Sequence, residues 1–298
     1  MPLQSKILTS CIMVFAFNLV VRPSYEASPA CSNIDRLEDV EKWAIVLDYD
    51  EDNHPIDREI LQSFDMVVLD PDNSPETATL KKNQPIRISY ISVGEAENYR
   101  GYWDKIKDNP WVLDENPDWE GNFFVDVRDP EWRKLLIEEV IPEIVNKGFQ
   151  GLFLDTLDTA VYLEEKSAKK YAGSLEAMAT LVGNIHQAFP KLMLLSNNGF
   201  EILEKIAPYL SGLIVEDINM MIDFEKDSYK SVPPEDRTYK IGILKPIMAN
   251  YGLSVFNIDY VPQSNQKLIR QVRRDSKRLG FKPYAAEANL ADIYKQYD

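Results

Sequence analysis

The chain has 298 residues, a formal net charge of −15 and 45% hydrophobic side chains. This acidic balance disfavours nucleic acid and anionic membrane surfaces as partners, because like charges repel. A neutral or cationic ligand suits the charge better. The length allows one α/β barrel, since such barrels run to about 250 residues as a single domain.

The N-terminus has the pattern of an export signal. Lys6 precedes the apolar stretch ILTSCIMVFAFNLVV, which is too short for a stable membrane span. Small residues in the tripeptide SPA at 28–30 predict cleavage before Cys31. We therefore expect a signal peptide over residues 1–30, one domain over 31–298, and a secreted or periplasmic protein with no stable membrane span in its mature chain. An uncleaved anchor and lipidation at Cys31 are the alternatives.

From Trp43 onward, short apolar runs alternate with longer amphipathic segments. The apolar runs are continuous rather than alternating, which is typical of parallel strands covered on both faces. Eight of them are predicted strands: 44–50, 66–70, 86–92, 151–155, 192–198, 212–217, 253–260 and 282–288.

Helix signals fall between these strands. Pro55 suits a first helical turn, and Asp129-Pro130 has the pattern of a cap followed by the first helical residue. Ser174 is an expected cap, and Gly280 is expected to close the last helix.

The alternation of eight strands with helices predicts a (β/α)₈ TIM barrel. An open doubly wound sheet is the structural alternative, although DYDEDNHP follows the first strand where that fold often has a glycine-rich phosphate loop. The connection 93–130 is long enough to carry elements of its own, and NFFVDV within it is a candidate strand.

Acidic and amide side chains gather at the predicted C-terminal ends of the strands. In a barrel these ends share one face, so the side chains would line a common pocket. Any one acid could instead cap the following helix. Aromatic residues in the same loops would stack on sugar rings. The strand-end residues are Asp48, Asp50, Asp70, Asp72, Glu95, Glu97, Asp155, Asp158, Asn197, Asn198, Glu216, Asp217, Asn257, Asp259 and Glu287.

The scarcity of histidine narrows the chemistry. Only His54 and His186 are present, which disfavours a metal centre built on several histidines. No G-x-S-x-G elbow occurs, which disfavours an acyl-transfer triad. We expect no cofactor and no bound metal, while an all-oxygen divalent-cation site from the acids of the first two strands is an alternative. Glycoside hydrolysis by two carboxyl groups is the reaction that suits this inventory best.

Two segments, ISYISVGEAENYRGYW at 88–103 and GFQGLFLDTLD at 148–158, resemble glycoside hydrolase family 114, the endo-α-1,4-polygalactosaminidase-like barrels. The resemblance covers residues 43–290 and implies an extracellular barrel that cleaves α-1,4-linked galactosamine-containing polymers. It implies a catalytic pair, Asp155 in GLFLD and Glu216 in GLIVED. It also implies sugar contacts by Asp48, Asp50, Tyr90, Glu95, Glu97 and Arg100, with Asp158 tuning the pKa of Asp155 or binding a hydroxyl.

We also place Asn197, at the end of the fifth strand, among the substrate-binding residues. The predicted function is an exported glycoside hydrolase that cleaves an amino-sugar polysaccharide or oligosaccharide by a two-carboxylate mechanism. The polyanionic chain suits a cationic, partly deacetylated sugar. The alternative is a non-catalytic carbohydrate-binding barrel at the cell surface, which would keep the aromatic residues without a productive pair.

Overall fold

The computed structural model describes residue 33 and residues 36–49, 56, 58–74 and 85–293. The predictions on the export signal, Asp50, His54 and Pro55 lie outside these residues. In the described part of the chain, no helix combines the length and apolarity needed to cross a membrane.

Eight parallel strands form a sheet that curves into a barrel. Its strand order is 1-2-3-7-8-9-12-13. The indole of Trp43 in the first strand donates to the Lys282 carbonyl in the last at 3.0 Å, which joins the two edges. The predicted (β/α)₈ fold is confirmed. The strands are β1 (Trp43–Val46), β2 (Met66–Leu69), β3 (Ile86–Ser92), β4 (Glu95–Glu97), β5 (Val112–Glu115), β6 (Asn122–Val125), β7 (Gly151–Asp155), β8 (Met193–Asn197), β9 (Gly212–Glu216), β10 (Met220–Asp223), β11 (Ser228–Ser231), β12 (Ser254–Tyr260) and β13 (Lys282–Ala286).

Helices connect the barrel strands, and their ends test the capping predictions. Asp129 caps its helix as predicted, because its side chain accepts from the Glu131 N–H at 2.9 Å. Gly280, with φ of 76°, follows the last helix as expected. The helices are α1 (Arg58–Leu61), α2 (Trp103–Ile106), α3 (Pro130–Leu135), a π-helical turn (Leu136–Val140), α4 (Ile141–Asn146), α5 (Thr159–Lys166), α6 (Ser174–Ala188), α7 (Leu203–Ile206), a 3-10 turn (Ala207–Tyr209), α8 (Pro234–Tyr251) and α9 (Gln266–Arg278).

Two local predictions were wrong. Ser174 is the first residue of α6 rather than its cap, because its hydroxyl donates to the Tyr171 carbonyl at 2.9 Å and Gly173 takes the cap position. The first strand ends at Val46, short of the predicted 44–50, because the next two backbone N–H groups donate to the Leu290 carbonyl instead of continuing the ladder.

Two inserts leave the C-terminal face of the barrel. The first follows β3 and forms a three-stranded antiparallel sheet in the order β4-β6-β5, which confirms a strand within NFFVDV. The second follows β9 and is the antiparallel hairpin of β10 and β11. Phe124 of β6 stacks on Tyr162 of α5 with ring centroids 4.7 Å apart, so the first insert is packed against the helix that follows β7.

The core surrounds the strands on both faces. β1, β2 and the first four residues of β7 and β9 are buried without interruption, which explains their continuous apolar sequence. Trp43 packs edge-on against Phe256 at 5.5 Å and contacts Tyr284 at 5.4 Å. Burying each large apolar side chain of this kind stabilises the fold by about 1.5–3 kcal/mol. The rigid barrel therefore holds the strand ends in fixed positions.

Candidate active site

Two acidic side chains approach each other across one barrel strand. Asp155 is the last residue of β7 and Glu216 the last of β9, with β8 between them. Asn197 ends β8, and its Nδ2 donates to Asp155 Oδ1 at 2.8 Å and to Glu216 Oε1 at 2.9 Å. These distances limit the separation of the two oxygens to 5.7 Å. Because the two N–H bonds of an amide diverge by roughly 120°, we infer a separation of about 5 Å.

The residue after each of these three side chains has a left-handed backbone. φ is 60° at Thr156, 44° at Asn198 and 61° at Asp217. This conformation is uncommon outside glycine and is an outlier for a β-branched residue such as Thr156. Strained backbones persist where surrounding contacts hold them, and they cluster at active sites. Three neighbouring strands therefore end in the same sharp turn, directly after the side chains that meet.

The end of β3 holds the turn after Asp155. Thr156 Oγ1 accepts from the Gly94 N–H at 2.8 Å and donates to the Asp155 carbonyl at 2.7 Å. The Ser92 hydroxyl lies 2.8 Å from the same oxygen. A Cβ on Gly94 would lie 2.1 Å from the Thr156 carbonyl oxygen, so only glycine allows this approach. The motif that starts at Gly94 therefore positions Asp155 from the adjacent strand.

Glu216 is held by groups from three other elements. Its Oε2 accepts from the Tyr260 hydroxyl at 3.0 Å, and its backbone N–H donates to Asn198 Oδ1 at 3.0 Å. Lys240 Nζ donates to the Glu216 carbonyl at 2.9 Å. Sequence reasoning missed Tyr260 and Lys240. Tyr260 ends a buried strand, where an aromatic residue is indistinguishable from core, and Lys240 lies inside α8 with no motif around it.

Burial raises the pKa of both carboxyl groups. The charge of Asp155 raises the pKa of Glu216 further, while Asn197 and Tyr260 lower it by donating to the charged form. Three donors lower the pKa of Asp155: the Asn197 amide, the next backbone N–H and the Tyr90 hydroxyl. A carboxylate that accepts more hydrogen bonds keeps its charge more readily. Burial therefore raises the pKa of both groups, and Asp155 has the larger number of donors to its charged form.

A third acid adjoins the pair. Burial, followed by the charge of Glu216, raises the pKa of Asp217 to about 7, although Lys240 acts in the opposite direction. Asp217 Oδ1 is buried and has no hydrogen-bond partner among the described residues. The site therefore contains a carboxyl group whose charge changes near neutral pH.

Glu95 lies close to the pair and is buried. Its Oε1 accepts from Asn116 Nδ2 at 3.0 Å and from the Thr159 hydroxyl at 3.2 Å. Its Oε2 is buried and has no hydrogen-bond partner in the described part of the chain. Burial, with a contribution from the charge of Asp155, raises the pKa of Glu95. This position is compatible with the predicted sugar contact, since one oxygen is still able to accept a hydrogen bond.

Arg100 and Glu97 belong to a buried ion-pair network. Arg100 forms two hydrogen bonds with Asp70, at 2.6 and 3.0 Å, and one with Asp72 at 2.9 Å. Its Nε donates to Glu97 at 2.8 Å. The Tyr99 hydroxyl donates to the other oxygen of Glu97 at 2.5 Å, and the Tyr99 side chain is 62% exposed. The network connects the ends of β2 and β4, and Tyr99 is its member on the solvent side.

The other predicted contacts are more dispersed. Tyr90 is buried and forms a side-chain hydrogen bond with Asp155, whereas Asp48 is exposed just after β1. Asp158 is exposed before α5, and its charge contributes to the raised pKa of Asp155. Asp50 lies outside the described residues. Among those that are described, no group of three or more histidine, cysteine, aspartate or glutamate side chains is arranged to hold a metal ion.

Two close carboxyl groups at the mouth of a barrel, on strands separated by one other, are the arrangement that glycosidases use. The profile of Glycoside-hydrolase family GH114 matches residues 26–298, and the chain belongs to this family. It is a glycoside hydrolase.

The chain is also similar to individual known proteins. The chain is 29% identical over 273 residues to an uncharacterized protein of Methanocaldococcus jannaschii, which covers 83% of this chain and 75% of the relative. It is similar to the solved glycoside hydrolase domain of PelA from Pseudomonas aeruginosa, with 25% identity and a TM-score of 0.75 over 86% of this chain and 98% of that one. Ega3 of Aspergillus fumigatus, solved in complex with galactosamine, shares the fold at 16% identity and a TM-score of 0.63, over 92% of this chain and 98% of that one.

Proposed function

We propose that this protein hydrolyses α-1,4 linkages in a galactosamine-containing polysaccharide, with Asp155 and Glu216 as the catalytic pair. The observation that carries the proposal is the Asn197 nitrogen that contacts one oxygen of each carboxyl group. Retaining glycosidases keep their two carboxyl groups about 5–5.5 Å apart, whereas inverting enzymes need room for a water molecule between them. The separation inferred here supports a retaining reaction.

The hydrogen bonds support a division of roles within the pair. Asp155 has the surroundings of a charged nucleophile, since it has more donors to its charged form than Glu216. Glu216, beside that charge, has the surroundings of a group that holds a proton. A raised pKa is what a general acid requires at near-neutral pH.

The reaction then proceeds in two displacements. Glu216 donates its proton to the glycosidic oxygen while an oxygen of Asp155 attacks the anomeric carbon, and the bond to the leaving oxygen breaks. The glycosyl ester on Asp155 is then attacked by water, from which Glu216 takes a proton, and the ester bond breaks to release Asp155 as a carboxylate. Both acids return to their starting protonation states.

The choice of an amino sugar rests on charge and on the comparisons. Glu95, Asp158 and Asp217 surround the pair with further carboxyl groups, and the whole chain has a net charge of −15. A protonated amine would be attracted to such a site. Ega3, which shares the fold, was solved with galactosamine. We also propose that the signal expected over residues 1–30 exports the enzyme to an extracytoplasmic polysaccharide.

Reducing-end release from an α-1,4-galactosamine polymer tests the proposal. We expect hydrolysis by the wild type and a loss of at least about a hundredfold in kcat for Asp155→Asn and for Glu216→Gln. The matched controls Asp39→Asn and Glu204→Gln change exposed acids away from the strand ends and should retain the wild-type rate. Equal rates in all five proteins would refute the assignment, and a wild type that binds the polymer without cleaving it would favour the non-catalytic alternative.

A further inference from the structure

Two exposed aromatic side chains meet where the inserts approach each other. Trp119 lies in the turn between β5 and β6, and Phe224 directly follows β10 at the tip of its hairpin. Their ring centroids are 6.5 Å apart and their planes are at 86°, an edge-to-face contact. Trp119 is 57% exposed and Phe224 is 74% exposed, so much of both rings faces solvent.

The contact spans the side of the barrel mouth that carries the catalytic pair. The insert with Trp119 follows β3 and the insert with Phe224 follows β9, while β7 and β8, which end in Asp155 and Asn197, lie between those two strands. β10 runs from Met220 to its end beside Phe224, a rise of about 13 Å from the hairpin's base. The two rings therefore connect the inserts at the tip of the hairpin, one strand length from its base.

Both inserts are firmly attached to the site below. The Trp119 N–H donates to the Asn116 carbonyl at 3.2 Å, and the Asn116 side chain donates to Glu95 beside the pair at 3.0 Å. On the other side, buried Asp259 accepts from the Met220 N–H at 3.0 Å at the base of the hairpin. Hydrogen bonds thus connect the turn that carries Trp119 and the base of the hairpin that carries Phe224 to the buried acids Glu95 and Asp259.

We propose that Trp119 and Phe224 form an aromatic bridge that binds the polysaccharide at a subsite distant from the bond that is cleaved. This inference rests on the proposed function. An aromatic pair of this geometry contributes little beyond its buried area, so two rings left mostly in water do little for the fold. Exposed aromatic faces at a cleft are suited to bind the apolar faces of sugar rings, and a site at the tip of the hairpin would be occupied by a long chain that extends away from the bond that is cleaved.

The bridge predicts a preference for polymer over short oligosaccharide. The variants Trp119→Ala and Phe224→Ala should each raise KM for the α-1,4-galactosamine polymer about tenfold, since an aromatic anchor at a binding site is worth more than about 1 kcal/mol. We expect kcat on the polymer and kcat/KM on a galactosamine trimer to stay unchanged. Trp119→Tyr, which keeps an aromatic face, should restore most of the polymer KM.

Tyr209→Ala is the matched control, because it removes a partly exposed aromatic ring from the 3-10 turn that precedes β9, at the opposite end of that strand. An unchanged polymer KM in both bridge variants, or an equal loss on polymer and trimer, would overturn the inference. Affinity electrophoresis in a gel containing the polymer measures binding without catalysis. A wild type that is retarded more than the bridge variants but releases no reducing ends would support the bridge and refute the proposed hydrolysis.

Discussion

At the scale of single residues, a neutral amide between two acids sets their separation and influences their pKa values. Asn197 uses both of its N–H groups on the carboxylates of Asp155 and Glu216, which holds one oxygen of each at a separation near 5 Å. A carboxylate in place of Asn197 would repel both acids, and an apolar residue would donate no hydrogen bond to either of them. The amide therefore combines positioning with control of the two pKa values.

Asn197→Ala should shift the pH profile. The substitution removes a donor to the charged form of Asp155, so the pKa of Asp155 rises further. The acidic limb of kcat/KM against pH, which reports the nucleophile, should move up by about one unit, since a hydrogen bond to a charged group is worth about 1.5–3 kcal/mol. An acidic limb that stays in place or moves to lower pH would contradict this role.

Sequence reasoning at the residue scale placed Asp155, Glu216 and Asn197 among many polar residues at strand ends, and the family resemblance alone singled out the first two as a catalytic pair. It could not show that Arg100 is already bonded, since its partners Asp70 and Asp72 lie 30 and 28 residues away. Fixed contacts of this kind depend on the folded chain.

At the scale of elements, Asp259 connects the second insert to the barrel. It is fully buried on β12 and accepts from the N–H groups of Asn219 and Met220 at 2.6 and 3.0 Å. The side-chain amides of Asn219 and Asn257 donate to its other oxygen at 2.8 and 2.9 Å. Asp259 was among the predicted strand-end residues. In the structure its hydrogen bonds hold the segment between Glu216 and the hairpin in place.

Asp259→Ala should destabilise the protein. The change leaves the donors of Asn219, Met220 and Asn257 buried without their acceptor, and each unsatisfied group costs about 1–3 kcal/mol. We expect the free energy of unfolding in urea to fall by roughly 2–4 kcal/mol. Asp39→Ala, at an exposed position, is the control and should change stability by less than about 0.5 kcal/mol. Equal stabilities of the two variants would show that Asp259 is not an anchor.

The barrel strands could be predicted because a strand buried on both faces has a continuous apolar sequence. The hairpin of β10 and β11 could not, since SYKS is polar and mostly exposed and becomes a strand only through its pairing with MMID. The strand ends that form the floor of the site could therefore be predicted from the sequence, and the contact between the two inserts could not.

At the scale of the whole molecule, acids concentrated at one end of the barrel affect stability as well as catalysis. Asp217 has an ordinary pKa of 3.8 that burial and the charge of Glu216 raise to about 7. As pH rises between these values, the unfolded chain loses the proton before the folded chain does. The free energy of unfolding therefore falls over this range, and the penalty is complete above pH 7.

Asp217→Asn should remove this penalty. Asparagine also tolerates the left-handed backbone at this position, so the substitution adds little strain. Relative to the wild type, we expect the variant to gain more than about 1 kcal/mol at pH 8 and little at pH 3, measured by urea unfolding at both values. A gain of the same size at both pH values would contradict the pKa assigned to Asp217.

On the proposed mechanism, Asp155 and Glu216 act on one glycosidic bond at the separation of a double displacement. Proton NMR during early hydrolysis of an α-linked galactosamine oligosaccharide measures the first anomer released, before it equilibrates in water. A double displacement should release the α anomer first. First release of the β anomer would contradict a double displacement, because a single displacement requires the two carboxyl groups to stand roughly 6.5–9.5 Å apart.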